Sequence, residues 1–403
     1  MIQAEQLHAR ILEELDMTRE IEDEELTELI YRVLQEASSE EYLSLSRKAE
    51  LGKELFNAFR KLDLLQEFLE DEGITEIMIN GTKSIFFERD GRIYKSDKRF
   101  LSKEKLEDVI QQIVAGSNRL VNEASPIVDA RLADGSRVNV VLAPVAVNGP
   151  IVTIRKFGKD AITMDQLIAW NSISKEISVF LATLVAAGYN IFISGGTGSG
   201  KTTFLNALSQ YIPKDERIIT IEDNAELKLQ EIPNLVSLEA RNPKGEGTGA
   251  VTIRDLIKSA LRMRPDRIIV GEVRGAEAID MLQALNTGHD GSMTTMHANG
   301  PEDALNRLET MVLMNGIEIP VTAIREYVEN ALDIVIQIQR FSDGRRRITS
   351  INEITGIKDG EINQKEIFKF RQTGVLPNGD VVGEFLMHKY VPKVYAKIKA
   401  HGI

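Results

Sequence analysis

Cysteine is absent from this chain of 403 residues, and histidine occurs only five times. Without cysteine the protein has no disulfide bonds, no thiol catalysis and no cysteine zinc site, a composition typical of a reducing compartment. The few histidines leave little for a histidine metal cluster. No apolar run approaches the roughly 20 residues that span a bilayer, and the first residues lack the apolar core of a signal peptide. We therefore expect a protein of a reducing compartment with no integral membrane segment.

An excess of basic residues is also lacking, since the formal net charge is −12. Residues 1–72 carry 20 Asp and Glu against 8 Lys and Arg, whereas the remaining 331 residues carry 41 of each kind. The body of the protein is therefore neutral, and its first part holds the whole negative excess. Proteins that bind nucleic acid normally show a basic footprint, so we expect no nucleic-acid partner.

What the sequence does contain is one strong motif, G-x-x-x-x-G-K-T, between a short apolar strand and an amphipathic helix. Glycines allow successive backbone N–H groups to surround an anion, and the start of the following helix favours phosphate. The lysine of this motif reaches the β- and γ-phosphates and the last hydroxyl binds Mg²⁺, which predicts ATP and Mg²⁺ as ligands. The predicted nucleotide-binding residues are Gly195, Gly196, Thr197, Gly198, Ser199, Gly200, Lys201, Thr202 and Thr203, with Thr202 also a metal ligand.

Three further polar residues follow apolar strands in the second half of the chain, where alternating strands and helices predict a mostly parallel sheet. They are Glu222, Glu272 and His297, and chemistry in parallel sheets gathers at the carboxyl ends of strands. We interpret Glu272 as the residue that polarises the attacking water, with a structural acid as the alternative. Glu222 is predicted to help hold Mg²⁺ or that water, or to be a turn residue. His297 is predicted either to contact the γ-phosphate or to be structural.

The chain divides into four parts by pattern. Residues 1–60 show apolar residues at helical spacing and an acidic surface, which is typical either of a small helical bundle or of a docking module for a partner. Residues 61–157 predict a compact α/β N-domain with two hairpins, each turning at an Asp-Gly pair. A linker is expected at 158–172, and the domain that carries the phosphate-binding loop at 173–403.

Three arginines lie on or beside the predicted strands of the N-domain, namely Arg131, Arg137 and Arg155. Charged residues on strands are commonly solvated, and the spacing by itself favours that interpretation. The alternative is that the guanidinium groups contact a phosphate across a cleft between domains, for which their planar fork is suited.

Four blocks of the sequence occur in the order that is typical of the ATPases of type II and type IV secretion, type IV pili and archaella. They resemble the Walker A, Asp box, atypical Walker B and His box of that superfamily, at Gly195–Thr202, Ile221–Leu227, Arg262–Arg274 and Thr287–Asn299. The atypical Walker B uses a glutamate after glycine, as Glu272 does here. The segments LRMRPDRIIVGEVRG and ARLADGSR…IRKF are similar to the CpaF-type ATPase of the tight-adherence (Flp) pilus. The resemblance covers about residues 61–403.

The resemblance implies an α/β fold with a RecA-like P-loop C-terminal domain, a smaller α/β sandwich N-domain and an N-terminal helical segment. It implies a cytoplasmic homo-hexamer, peripheral to the inner face of the cell membrane. This ring would hydrolyse ATP and drive inner-membrane platform proteins to assemble a pilus, with retraction left open. The resemblance also implies that Arg131 binds nucleotide, and that Arg137 and Arg155 act in catalysis or sensing with Glu222, Glu272 and His297.

Other functions stay open at this point. A type IV secretion or conjugation ATPase has the same fold, and its genomic neighbours would encode a conjugation channel rather than pilin and platform proteins. A scaffold that binds ATP without turnover is disfavoured by the intact Lys201, Thr202 and Glu272. A DNA helicase is disfavoured by the neutral body of the protein.

Overall fold

The structure is a computed structural model, and it describes most of the chain in two compact units, Met1–Lys159 and Asp160–Ile403. The described residues are 4–15, 19, 21–89, 91–100, 102–117, 119–156, 158, 161–229, 231–241, 249–314, 316, 318–388 and 398. Within these residues, no helix is both long enough and apolar enough to cross a membrane.

The first unit begins with three helices, α1 (Ala4–Glu14), α2 (Asp23–Glu40) and α3 (Leu45–Arg60). Their apolar stripes pack into a core of their own, which includes Leu7, Leu34 and Leu55. Ser44 caps α3 by accepting a hydrogen bond from the N–H of Arg47, and three acidic residues begin α2, where the helix dipole favours them. The three helices agree with the helical segment predicted for this part of the chain.

The rest of the first unit is a six-stranded antiparallel sheet with two helices. Its elements are α4 (Leu65–Glu70), β1 (Ile74–Asn80), β2 (Ser84–Arg89), β3 (Arg92–Lys95), α5 (Lys103–Gly116), β4 (Ile127–Arg131), β5 (Arg137–Val141) and β6 (Ile151–Arg155). The strand order is β3-β2-β1-β6-β5-β4. Alternate strand residues such as Ile77, Val138 and Ile154 are buried in one core with the apolar side of α5, so the residues between them face the other side of the sheet.

Both hairpins predicted in this part of the chain are present, as β2–β3 and β4–β5. Asp90 of the first turn lies outside the described residues. A serine before an amphipathic segment predicts an N-cap at Ser102, and its hydroxyl accepts a hydrogen bond from the N–H of Lys105 at the start of α5 at 3.2 Å. The apolar spacing predicts a helix over 62–69, but α4 begins only at Leu65, because Asp63 has a positive φ of 53° that interrupts helical backbone.

The second unit contains a nine-stranded sheet with helices on both faces. Its helices are α6 (Met164–Ala169), α7 (Lys175–Ala186), α8 (Lys201–Ser209), α9 (Ile253–Ala260), α10 (Glu277–Leu285), α11 (Pro301–Leu313) and α12 (Val321–Ala331). Its strands are β7 (Ile191–Gly195), β8 (Arg217–Glu222), β9 (Asn234–Glu239), β10 (Arg267–Val270), β11 (Met293–Met296), β12 (Ile334–Arg340), β13 (Arg346–Lys358), β14 (Glu361–Val375) and β15 (Val381–Met387). The strand order is β15-β14-β13-β12-β7-β11-β10-β8-β9.

The six strands that are adjacent in the order β12-β7-β11-β10-β8-β9 are parallel to one another. Strand β7 lies in the interior of the sheet, between β12 and β11. All five residues of β7 are buried. Ile191 and Ile193 belong to the core under α7 and α8, whereas Phe192 belongs to the core under α9 to α12. The carboxyl ends of β7, β8, β10 and β11 therefore meet at one edge of the sheet, where chemistry is expected in this class of fold.

Some element boundaries differ from the predicted ones. The apolar spacing predicts a helix over 253–263, but α9 ends at Ala260. The N–H groups of Arg262 and Met263 bond to carbonyl oxygens three residues back, and Arg264, just before Pro265, has a positive φ of 54°. Apolar residues at helical spacing predict that α8 reaches Ile212, but the helix ends at Ser209, and Tyr211 and Ile212 follow it in a turn.

Two segments carry structure that the sequence patterns did not indicate. Part of the predicted linker forms α6, whose Met164 and Leu167 are buried in the core of the second unit. The division of the chain into four parts stays a prediction. After β12 the chain forms the antiparallel meander β13–β15, although the alternation of strands and helices predicted only the parallel part of the sheet.

Candidate functional site

The phosphate-binding loop connects β7 to α8. Gly198 and Gly200 have positive φ angles of 69° and 92°, a conformation that residues with a side chain rarely adopt. Gly195 lies so close to the carbonyl oxygen of Ile338 that a Cβ atom there would collide with it. Glycine is therefore required at three places in the loop, and the start of α8 presents its N–H groups to an anion.

Lys201, the first residue of α8, is only 7% exposed. Its ammonium group donates hydrogen bonds to the carbonyl oxygens of Gly195 and Gly196, each at 3.1 Å. It also lies 3.2 Å from Nδ1 of His297, which follows β11. A single positive charge is thus held between the phosphate-binding loop and the end of the neighbouring strand.

Glu272 continues this set of contacts across the sheet. Its Oε1 lies 2.8 Å from Nε2 of His297, and its Oε2 accepts a hydrogen bond from Nη2 of Arg274 at 2.7 Å. Arg274 also approaches Asp223, just beyond β8, at 3.3 Å. Polar side chains that follow β11, β10 and β8 are therefore linked to Lys201 in one row.

The protonation of His297 follows from its surroundings. Burial and the positive charge of Lys201 hold the pKa of His297 below its ordinary value, so the imidazole is neutral near pH 7. A neutral ring can accept from the Lys201 ammonium at Nδ1 and point its Nε2–H toward Glu272. Oε1 of Glu272 is buried, and besides its 2.8 Å contact with Nε2 of His297 it can accept a further hydrogen bond. An oxygen of this kind is suited to hold a water molecule.

Glu222 ends β8 and is 4% exposed. Its Oε1 accepts hydrogen bonds from the N–H groups of Glu226 and Leu227 at 2.9 and 3.0 Å. A Cβ atom on Gly271 would come within 2.7 Å of Cγ of Glu222, so the glycine before Glu272 leaves the space that Glu222 occupies. These contacts give Glu222 a definite structural role in the turn after β8, and its role toward Mg²⁺ stays a prediction.

The residues at this edge of the sheet fit an Mg²⁺–nucleotide complex. Thr202 is the second residue of α8, where the hydroxyl of this motif meets the metal. The described part of the chain contains no group of three or more acidic or histidine residues that could hold a metal ion. Mg²⁺ in nucleotide sites is bound through substrate phosphates and one or two protein oxygens, so the hydroxyl of Thr202 is a suitable ligand at this place.

The three predicted N-domain arginines lie in one row of the sheet of the first unit. Arg131 pairs directly with Arg137 across β4 and β5, and Arg137 pairs directly with Arg155 across β5 and β6. Residues that are directly opposite share a face of the sheet, and Glu76 of β1 lies directly opposite Arg155 at the end of this row. The strand register thus gathers three guanidinium groups that the spacing in sequence did not relate.

Arg274 and Arg346 also contact the site in the second unit, and no role was predicted for either. Arg274 holds Glu272, and the signal for it was only the short spacing E-x-R after β10. Arg346 begins β13, and its Nε donates a hydrogen bond to the carbonyl oxygen of Gly198 in the phosphate-binding loop at 2.9 Å. Nothing in the sequence connects two residues that are 148 positions apart, because only the pairing of β12 with β13 brings them together.

Comparison with known proteins agrees with this geometry. A sequence model of the family described as type II/IV secretion system protein matches residues 60–371. The chain belongs to this family. A putative conjugal transfer protein of Mycobacterium tuberculosis is 35% identical over 294 residues, which are 72% of this chain and 83% of that protein. The type IV secretion system protein PtlH of Bordetella pertussis is 33% identical over 322 residues, which are 72% of this chain and 93% of that protein.

A solved structure shows the same fold. The crystal structure of the pilus retraction motor PilT with bound ADP matches with a TM-score of 0.52 and 18% identity, covering 85% of this chain and 86% of that chain. The predicted α/β fold with a RecA-like domain is therefore confirmed. The finer resemblance to tight-adherence pilus ATPases stays a prediction.

Proposed function

We propose that this protein is an ATP-hydrolysing, hexameric motor that powers assembly of a tight-adherence or type IV-like pilus. The observation that carries the proposal is the row from Lys201 through His297 to Glu272 beside the phosphate-binding loop, in a chain of the type II/IV secretion family. A scaffold that only bound nucleotide would not need a buried carboxylate oxygen held next to the loop.

Each residue of the row has a proposed role. Lys201 exchanges its bonds to the loop carbonyls for phosphate oxygens when ATP binds. Glu272 orients the attacking water through its buried Oε1, while Arg274 and His297 fix the direction of the carboxylate. Thr202 holds Mg²⁺, with Glu222 as the carboxylate on the same edge, and Mg²⁺ neutralises charge that develops on the β- and γ-phosphates. His297, poised between Lys201 and Glu272, reports the presence of the γ-phosphate.

The arginine row of the N-domain is proposed to act on the phosphates in catalysis, because its planar guanidinium groups lie side by side on one face of the sheet and are suited to phosphate. Replacing Arg155 by Ala is expected to lower turnover by at least about tenfold while ATP affinity changes little, as for an arginine that stabilises charge in the transition state. Steady-state phosphate release and nucleotide titration measure the two effects. The matched control is Arg92→Ala, an exposed arginine at the other edge of the same sheet. Wild-type turnover in Arg155→Ala would show that the row serves another purpose.

The proposed location is the cytoplasm, at the inner face of the membrane, with platform proteins of the pilus machine as partners. A second candidate is a type IV secretion or conjugation ATPase, which the similarity to PtlH and to a putative conjugal transfer protein favours. Genes beside the coding sequence distinguish the two, since pilin and platform genes accompany a pilus motor and channel genes accompany a conjugation system.

The experiment that tests the motor function uses the helical segment 1–60. This segment has its own core and contains none of the residues of the phosphate site, so its deletion is expected to preserve ATP turnover within about twofold while pilus formation fails. Its acidic surface suits a basic cytoplasmic loop of a membrane protein, a contact that salt should weaken. Turnover is measured on the purified protein and pilus formation in the native host.

Lys201→Ala in the full chain is the control, because it should lose both turnover and pilus formation. If the full chain binds MgATP but shows no turnover, it is a nucleotide-gated scaffold and the motor proposal is wrong. If the deletion forms pili normally, the helical segment is not a docking module.

A further inference from the structure

Strand β7 has two neighbours in the sheet, and each one ends beside the phosphate-binding loop. On one side β11 ends at Met296 and leads to His297. On the other side β12 ends at Arg340, and the chain returns in β13 from Arg346. We call residues 340–346 the arginine hairpin. The loop is therefore flanked by the His297–Glu272 pair on one side and by the arginine hairpin on the other.

The arginine hairpin touches the loop at the two glycines that have positive φ angles. Nε of Arg346 donates to the carbonyl oxygen of Gly198 at 2.9 Å, and a Cβ atom on Gly200 would lie 3.0 Å from Cδ of Arg346. A Cβ atom on Gly198 would lie 4.0 Å from Nη1 of Arg340. Both arginine side chains thus lie against the backbone that is built to surround phosphate.

Arg340 and Arg346 are also directly opposite each other in the pairing of β12 with β13. Like charges in this position repel, and the positive charge of Lys201 lies at the same loop. Three cations within one short region of the sheet edge attract a polyphosphate to the loop. Guanidinium groups suit phosphate because they present several N–H donors in a plane.

A buried ion pair holds the hairpin in place. Asp343 and Arg347 have side chains only 1% and 3% exposed and lie 2.9 Å apart. The carboxylate of Asp343 accepts a hydrogen bond from the N–H of Val381 in β15 at 3.0 Å, and Arg347 donates to the carbonyl oxygen of the same residue at 3.1 Å. Burial by itself would raise the pKa of Asp343. These hydrogen bonds outweigh that effect and hold the pKa below its ordinary value.

Aromatic rings add to this anchor. The guanidinium carbon of Arg347 lies 5.1 Å from the ring centre of Phe341 and 5.6 Å from that of Phe370, and the two rings meet edge to face. Cation–π contacts of this kind are most favourable when the cation is shielded from water. The meander β13–β15 thereby fixes the turn that separates Arg340 from Arg346.

We propose that Arg340 and Arg346 form a second phosphate-binding element of the nucleotide site, in which Arg346 also positions the loop through Gly198. The ligand class is a nucleoside di- or triphosphate, and the proposal rests on the proposed function. The C-terminal meander is then part of the nucleotide site, because it holds the arginine hairpin against the loop.

The test measures binding of ADP and of inorganic pyrophosphate to the full-length protein by calorimetry, with Arg340→Gln, Arg346→Gln and the double variant. Glutamine keeps a polar side chain of similar length, so the fold of the hairpin is retained, which thermal unfolding of the free protein verifies. We expect the double variant to weaken both ligands by at least about tenfold, since two charge-assisted contacts are lost. Arg346→Lys should recover part of the affinity.

The matched control is Arg345→Gln, which changes an arginine of the same turn that approaches Asp380 at 3.4 Å instead of the loop. Its affinity for both ligands should stay within about twofold of wild type, as is usual for an independent site. If the double variant binds ADP and pyrophosphate as the wild type does, this inference is wrong and the proposed function is unaffected. Weakened ADP with unchanged pyrophosphate would also overturn it, since the contact would be with the nucleoside. Absence of ADP binding in the wild type would instead overturn the proposed function.

Discussion

Replacing Lys201 by Ala is expected to abolish tight nucleotide binding and turnover together. The Lys201 ammonium is held between the carbonyl oxygens of Gly195 and Gly196 and Nδ1 of His297, so it is the charge that the loop offers to the phosphates. Its loss should raise the dissociation constant for MgATP by at least about 100-fold, as the loss of a charge-assisted contact at a partly buried site does. Calorimetry and steady-state phosphate release measure the two effects.

Two further variants make this result specific. Lys201→Met keeps the bulk of the side chain without its charge, so it should behave like the alanine variant if charge is what matters. Lys214→Ala removes an exposed lysine that pairs with Glu231 and should leave binding unchanged, because exposed ion pairs contribute little. A Lys201→Ala protein that binds ATP within a few-fold of wild type would contradict the assignment of the loop.

Replacing Glu272 by Gln is expected to leave ATP binding intact and to slow hydrolysis by at least about 100-fold, the pattern of an interaction made only in the transition state. The amide keeps the shape of the side chain. It removes the negative charge that Arg274 and His297 hold in place and that orients the attacking water. Single-turnover phosphate release and a nucleotide titration separate the chemical step from binding.

Glu302→Gln is the control for this variant, since Glu302 is an exposed acid in the first turn of α11 and lies outside the row of contacts. Turnover near the wild-type rate in Glu272→Gln would transfer the proposed role to Glu222. That outcome would require Glu222 to act while its Oε1 accepts two backbone hydrogen bonds, so Glu222→Gln would then have to abolish turnover.

Much of the fold could be predicted because the patterns involved are local. Strands β7, β8 and β10 are short apolar runs, as expected of parallel strands that are covered on both faces. The hairpin β4–β5 follows from its Asp-Gly turn. The end of α9 could not be predicted accurately, because an arginine gives no sequence signal for the positive φ that Arg264 adopts. The meander β13–β15 was missed although Asp359-Gly360 forms a two-residue turn between β13 and β14, because bulges in both pairings interrupt the alternation of residues along the strands.

Part of the predicted phosphate site could likewise be inferred from the sequence, and part could not. The loop Gly195–Thr202, Glu272 and His297 each lie directly after a recognisable strand, and parallel strands present their carboxyl ends at one edge, so their meeting could be expected from order along the chain. The arginine row of the N-domain could not, because a shift of one residue in the register of β4, β5 and β6 would place a guanidinium on the opposite face.

The sequence by itself therefore determined the phosphate-binding loop, the strand-end acids and histidine, and the alternation of strands and helices, since each depends on neighbours within a few residues. Only the tertiary structure decided which side chains share a hydrogen bond across the sheet. The contact of Arg346 with Gly198 and the row Arg131–Arg137–Arg155 depend on strand order and register. Those features are set by how the whole apolar surface is buried, a property of the complete fold rather than of any segment.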